Sequence, residues 1–153
     1  MDQGRWQEAQ ERLNRAIECQ RAALAVMPHH PFYQQVFKLH LFNLVKVHQA
    51  LNHPADALRA ARELAALPRE NSSDLYSVAC ALALPVPLVH GEQREALAAE
   101  AVQALKQAIA AGWNDAGKTS RDPDLASLRD RDDFRRLMAD LFDRSFPANP
   151  FAP

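Results

Sequence analysis

The amino-acid sequence predicts an all-α fold, and three observations carry that prediction. Apolar residues recur at spacings of three and four along most of the 153-residue chain, as they do on one face of a helix. No stretch alternates apolar and polar positions with the β-branched residues that are typical of strands. The four glycines and ten prolines fall mostly between the periodic stretches, where helices are expected to end.

Three helices are predicted within the first 68 residues. The first spans residues 5–27 and ends at Pro28, because proline lacks an amide donor and restricts the residue before it. The second spans 32–51, and its apolar surface is wide enough to imply burial on two sides. The third spans 54–67 and follows a tight turn in which Asn52 tolerates a left-handed conformation. The stripe of the second helix consists of Phe37, Leu41, Leu44, His48 and Leu51.

Three further helices are predicted in the remainder of the chain. The fourth spans residues 74–84 and follows a cluster of residues that favour the N-cap position. The fifth spans 91–111 and ends at Gly112, a favourable C-terminal stop. A short turn that holds Leu125 precedes the last helix, which spans 131–144 and carries a clear apolar stripe.

Composition and charge narrow the classes of function. The formal net charge is −1, so no global field attracts nucleic acid or an anionic membrane surface, and neither is expected as a partner. Cys19 and Cys80 stand far apart and are predicted to be buried free thiols in a reducing compartment. No apolar run reaches the length of a membrane span, and no signal peptide opens the chain. The sequence therefore predicts a cytoplasmic location.

Two segments of the chain share an apolar pattern. Residues 41–48 and residues 75–82 begin 34 residues apart, which equals the period of tetratricopeptide (TPR) repeats. The first segment resembles such a repeat, with Leu41 and Leu44 at the large apolar positions and Ala57 at the small position of the second helix. It departs from the pattern at positions that include Val45, where a glycine or alanine is usual.

This resemblance implies a short right-handed α-solenoid of TPR-like helical hairpins with a C-terminal helical cap. It implies one domain over residues 1–144, followed by a flexible tail. The expected parts are a half-repeat helix (1–31), a repeat (32–68), a second repeat (74–111) with an insertion at 85–91, the cap (112–144) and the tail (145–153).

The C-terminal segment carries a second resemblance. The run Asp122-Pro123-Asp124-Leu125, followed by an acidic stretch and Phe134, resembles the end of TPR arrays in planctomycete-type bacterial proteins, many of them serine/threonine kinases. In that setting the resemblance implies a non-catalytic arm of a larger signalling protein. The residues themselves favour a capping element, because an open helical stack exposes an apolar face at each end.

The sequence contains no recognisable catalytic motif, so we expect neither enzymatic activity nor a cofactor. There is no glycine-rich phosphate loop, no nucleophile elbow and no His-Glu-x-x-His motif. His48 is interpreted as a hydrogen-bonded core histidine, and no metal ligands are assigned. Asp130, Asp132 and Asp133 are interpreted as offsetting the dipole of the last helix. An alternative hypothesis is a helical protein that binds a metal through its histidines.

The TPR resemblance also implies a partner surface, since the first helix of each repeat lines the concave face of the stack. We expect a protein or peptide partner there, with acidic or C-terminal character, because residues 31–60 are mildly basic. The expected contact residues are Leu39, Phe42, Asn43, Lys46, Gln49 and Tyr76. The alternative is a homodimer through the N-terminal helix, in which a second copy would cover Trp6, Leu13 and Ile17.

Overall fold

The structure, a computed structural model, describes residues 3–146, and this part of the chain contains helices and no β-strand. The all-α prediction is therefore confirmed. The α-helices are α1 (Gln3–Val26), α2 (Pro31–Ala50), α3 (Pro54–Ala66), α4 (Ser72–Ala83), α5 (Gly91–Ala110), α6 (Ala116–Arg121) and α7 (Asp132–Ser145), and the 3₁₀ helices are Val86–Leu88 and Pro123–Leu128.

The chain groups into two compact units. Unit 1 is Met1–Pro68 and unit 2 is Arg69–Pro153, within the limits of the described residues. The sequence led us to expect one domain over residues 1–144, with a break between repeats after residue 68. The unit boundary coincides with that break, and each unit is described separately below.

Unit 1 is built around α2, which packs against both α1 and α3. This arrangement explains the wide apolar surface of α2, since one helix contacts two neighbours. An ion pair also connects α1 to α3, where the Arg21 guanidinium donates to both carboxylate oxygens of Glu63 at 2.6 and 2.8 Å. The buried apolar side chains of the unit include Ile17, Phe37, Leu41, Leu44, Val45, Ala57, Ala61 and Leu64.

The turn between α2 and α3 is a Schellman motif. Asn52 adopts a left-handed conformation with φ of 58°, as its sequence context predicts. The His53 amide donates to the His48 carbonyl at 2.9 Å, and the Asn52 amide donates to the Gln49 carbonyl at 3.1 Å. Pro54 then occupies the first turn of α3, where a missing amide donor costs nothing. The turn therefore fixes the last residues of α2 relative to the first residues of α3.

Unit 2 consists of α4 and α5, which pack against each other, and the C-terminal elements that cover them. The connection between the two helices, which the sequence predicts to be an insertion at 85–91, contains the 3₁₀ helix Val86–Leu88, and its Pro85, Val86 and Val89 side chains are buried. The buried side chains of the other elements include Val78, Leu82, Leu97, Leu105, Leu125, Leu128, Phe134 and Leu141.

The helix ends agree with the predicted ends to within two residues, and two corrections concern the C-terminal segment. Helix α6 was not predicted, because six residues are too few to display an apolar period. Its N-cap Asp115 accepts a hydrogen bond from the Lys118 amide at 2.8 Å. Ser145 belongs to α7 and not to the predicted tail. Phe146 is the C-cap residue of α7, and the remaining residues of the predicted tail, 147–153, lie outside the described residues.

Candidate functional site

The outer face of α2, which we define as Leu39, Phe42, Asn43, Lys46 and Gln49, is the surface on which the sequence places a partner. These positions lie opposite the Leu41–Leu44–His48 stripe, as the 100° rotation per helical residue requires. Leu39 is 55% exposed, and the other four side chains are half-buried. The structure therefore places these five residues on one accessible face of one helix.

Helix α2 carries basic side chains and no acidic ones. The helix contains two lysines and two histidines but no aspartate or glutamate. The ammonium group of Lys46 lies 5.3 Å from the centroid of the Phe42 ring, within the range of a cation–π contact. Lys46 therefore lies beside Phe42 on the outer face of α2.

Tyr76, the sixth expected contact residue, belongs to unit 2 and is only 4% exposed. Its hydroxyl donates a hydrogen bond to Asp122 Oδ2 at 2.8 Å, and its ring stacks on Trp113 with the centroids 4.0 Å apart. Burial, and then the neighbouring Cys80 and Asp122, raises the pKa of Tyr76. Because the hydroxyl of Tyr76 is hydrogen-bonded and its ring is stacked on Trp113, we leave Tyr76 out of the partner surface.

The surroundings of Tyr76 form a polar-aromatic cluster made of Tyr76, Trp113, Lys118, Thr119 and Asp122. Trp113 donates its indole N–H to Thr119 Oγ1 at 2.9 Å, and the fully buried Thr119 hydroxyl donates to a backbone carbonyl at 2.7 Å. The Lys118 ammonium lies 5.2 Å from each of the two ring centroids. The cluster thus joins α4 to the segment before the last helix and supplies hydrogen-bond partners to the buried hydroxyl groups of Tyr76 and Thr119.

The two cysteines are free but differ in environment. Cys80 is buried as predicted, and burial, with Asp122 and Asp124, raises the pKa of its thiol to about 12. A thiol that stays protonated is a poor nucleophile. Cys19 is exposed, so the prediction that both cysteines are buried is wrong for this residue. Cys19 lies 200° around α1 from Ile17, the buried residue of that helix, and therefore points away from the core.

The acidic residues near α7 have structural partners. Asp132 and Asp133 occupy the first turn of α7, as the dipole interpretation requires, whereas Asp130 lies in the turn before the helix. Arg131 donates two hydrogen bonds to Asp133, both at 2.9 Å, and one to Glu95 at 2.8 Å. The bonds from Arg131 lower the pKa of Asp133. Asp133 is thus held as a paired carboxylate, which is a poor proton donor or acceptor near neutral pH.

Unit 1 contains a cleft of about 370 Å³ between its three helices. α2 contributes Leu41, Leu44 and His48 to the cleft, and α1 and α3 contribute mainly polar side chains. The charged residues of its walls are Glu18, Arg21, Asp56, Arg59 and Glu63. Because the walls combine both signs of charge and form their own ion pairs, the cleft has no single electrostatic preference.

At this cleft the structure brings together three groups that sequence analysis kept apart. His48, His53 and Asp56 each offer one ligand atom, and these atoms all lie within 4.8 Å of one another. The centroids of the two imidazole rings are 5.9 Å apart. The signal that could have revealed the cluster is the spacing His48-x4-His53-x2-Asp56 across a turn containing Asn52 and Pro54. No other group of three such residues meets this criterion within residues 3–146.

His48 does not have the environment that sequence analysis expected. The residue is 4% exposed, but its Nδ1 atom has no hydrogen-bond partner among the described residues. Burial lowers the pKa of His48, and the opposing effect of Asp56 is smaller. His48 is therefore a buried residue, as predicted. The prediction that it is hydrogen-bonded is wrong for its Nδ1 atom.

Comparison with models of known families, with curated proteins and with solved structures finds no match to this chain. Within the described residues, no helix combines the length with the apolar character that crossing a membrane requires.

Proposed function

We propose that this chain is a non-catalytic protein–protein interaction module that binds a peptide on the outer face of α2. In this proposal the α2–α3 and α4–α5 hairpins are TPR-like repeats of a short α-solenoid, and the C-terminal elements are its cap. The observation that carries the proposal is the outer face itself, with an apolar pair, an amide and a lysine along a helix without acidic residues.

Each type of side chain on this face has a role in peptide binding. Leu39 and Phe42 offer apolar contact area, which is the main source of affinity in small interfaces. The Asn43 carboxamide can donate to a peptide carbonyl and accept from a peptide amide. The Lys46 ammonium can pair with a carboxylate of the peptide, either a side chain or the C-terminus. The proposed ligand is therefore an extended or helical peptide that carries at least one carboxylate and one apolar side chain.

The test begins with a displayed peptide library, from which the strongest binder is synthesised with a free and with an amidated C-terminus. Fluorescence anisotropy measures its affinity for the wild type and for the double variant Asn43→Ala, Lys46→Ala. We expect the double variant to lose at least tenfold in affinity, since about 1.4 kcal/mol of binding free energy corresponds to a factor of ten. Weaker binding of the amidated peptide would identify the C-terminal carboxylate as the group that Lys46 contacts.

A matched control is available on α5, where Gln103 and Lys106 have the same spacing and are both exposed. The double variant Gln103→Ala, Lys106→Ala removes the same types of group and the same charge without touching α2. It should bind as the wild type does, and circular dichroism should show equal helicity in all three proteins. Equal affinity of the wild type and the Asn43, Lys46 variant would end this proposal.

A second candidate function, self-association, is favoured by an exposed apolar patch at the α1–α2 turn. Val26 is 79%, Met27 44% and Phe32 65% exposed. The residues of α1 that a second copy is predicted to cover are less exposed, since Ile17 is buried and Trp6 and Leu13 are half-buried. Analytical ultracentrifugation tests this candidate: a dimer that Phe32→Lys dissociates supports it, and a monomer across the accessible concentration range refutes it.

A further inference from the structure

We infer that His48, His53 and Asp56 form a binding site for one divalent transition-metal ion, and that Zn²⁺ is the ion this set of ligands fits best. The site lies where the last turn of α2 meets the first turn of α3, at the edge of the cleft in unit 1. It is independent of the outer face of α2, because His48 belongs to the opposite stripe of that helix.

The distances are compatible with closure around an ion. The three ligand atoms lie within 4.8 Å of one another. In a tetrahedral zinc site with bonds of about 2.1 Å, the ligand atoms are about 3.4 Å apart. Rotation of the exposed His53 side chain can shorten its distances to the other two ligands.

The backbone holds the three residues in place before any ion arrives. The bond from the His53 amide to the His48 carbonyl, at 2.9 Å, ties the two histidines directly through the Schellman turn. His53 is the N-cap residue of α3, and Asp56 lies in the first turn of the same helix. Binding of an ion therefore requires little further ordering of the backbone, and the low entropic cost favours affinity.

His48 supplies an observation that is independent of the distances. A ring that only packed in the core would normally have both nitrogens satisfied, because burying a polar atom without a partner costs free energy. Nδ1 of His48 is buried and has no partner among the described residues. No hydrogen bond from Nδ1 therefore fixes the ring in one orientation or tautomer, and it can turn to offer a nitrogen lone pair to an ion.

The ligand types select the ion. Two imidazoles and one carboxylate suit zinc and its neighbours in the first transition row, whereas Mg²⁺ and Ca²⁺ prefer sets of oxygen ligands. Three protein ligands leave a fourth position for water, which can enter because His48 and Asp56 both line the cleft. Arg59, which lines the same cleft, donates to Asp56 Oδ1 at 2.5 Å and thereby orients the carboxylate.

The experiment titrates the full chain, freed of metal by a chelator, with ZnCl₂ in competition with a chromophoric chelator. We expect one equivalent of Zn²⁺ to bind to the wild type. His53→Ala and Asp56→Asn should each weaken binding at least tenfold, because each removes a ligand. His53 is exposed, so its variant should retain the helicity of the wild type.

His40→Ala is the matched control. His40 lies on the same helix, and its Nδ1 also has no partner among the described residues, but it does not belong to the cluster. This variant should bind Zn²⁺ as tightly as the wild type. Co²⁺ should give the intense visible absorption of a four-coordinate site in the wild type and a much weaker one in His53→Ala. Absence of stoichiometric binding, or equal binding by wild type and His53→Ala, would overturn the inference.

Discussion

The hydrogen bond between Tyr76 and Asp122 provides a quantitative test of how unit 2 is held together. Tyr76→Phe removes the hydroxyl that donates to Asp122 Oδ2 at 2.8 Å but keeps the ring that stacks on Trp113. A hydrogen bond to a charged group contributes about 1.5–3 kcal/mol to stability. Asp122 is half-buried, so water partly replaces the lost donor, and we expect the lower end of this range, about 1.5 kcal/mol.

The assay is urea unfolding of the full chain, followed by the fluorescence of Trp113. Because Trp6 is the other tryptophan and belongs to unit 1, both proteins carry Trp6→Phe so that the signal reports on unit 2 alone. For a unit of this size, a loss of about 1.5 kcal/mol also corresponds to a fall of roughly 6–12 °C in melting temperature.

Tyr33→Phe is the control for this experiment. Tyr33 also stacks on another ring, His30 at 4.2 Å, but no hydrogen bond of its hydroxyl is found among the described residues. Because Tyr33 belongs to unit 1 and Trp113 reports on unit 2, the unfolding of this variant is followed by circular dichroism, and we expect it to match that of the wild type. The reasoning would be refuted if Tyr76→Phe were as stable as the wild type, or if a double-mutant cycle with Asp122→Ala gave no coupling between the two side chains.

Three further predictions concern the cysteines and the α2–α3 turn. A colorimetric thiol reagent should modify Cys19 rapidly in the native protein and Cys80 only after unfolding, and two rapid reactions would contradict the burial of Cys80. Burial raises the pKa of the Cys80 thiol from 9.0 to about 12. The protonated thiol therefore stabilises the native state fully below about pH 9, and this stabilisation is lost as the pH rises towards 12. Between about pH 8 and about pH 10.5, the free energy of unfolding measured in urea should therefore fall more for the wild type than for Cys80→Ala. Equal decreases in the two proteins would contradict this prediction. Asn52→Ala should cost about 1 kcal/mol because alanine disfavours a positive φ, whereas Asn52→Gly should not, and equal stability of the two variants would exclude strain at this turn.

The helices were predictable because local chemistry determines their ends. Pro31 and Pro54 begin α2 and α3, and Asn52 and Gly112 adopt the positive φ values that end α2 and α5. These signals are contained in a few adjacent residues, so one sequence is enough to read them. Helix α6 has an N-cap at Asp115 and a proline two residues beyond its end, but its six residues are too few to display an apolar period.

The environment of Tyr76 could not be predicted from local pattern. Its hydrogen-bond partner Asp122 lies 46 residues further along the chain, and its stacking partner Trp113 lies in the segment after α5. Helical spacing placed Tyr76 on the leading helix of a repeat but carried no information about which distant segment covers it. The burial of this residue therefore followed only from the tertiary structure.

The cluster of His48, His53 and Asp56 was missed for a different reason. Sequence analysis examined pairs of histidines on one helix, such as His40 and His48, which are separated by two helical turns. The observed ligands belong to two helices and to the turn that connects them. Recognising them requires the geometry of the Schellman turn at Asn52, which brings the end of α2 close to the beginning of α3.

The most direct test of the proposed function is a map of the binding surface on the ¹⁵N-labelled full chain by two-dimensional NMR. The probe is the peptide selected from the library described above, added in steps to saturation. The account predicts that the largest chemical-shift changes occur at Leu39, Phe42, Asn43 and Lys46 on the outer face of α2. Changes confined to the cleft of unit 1 or to unit 2, or failure of the library to yield any binder, would contradict it.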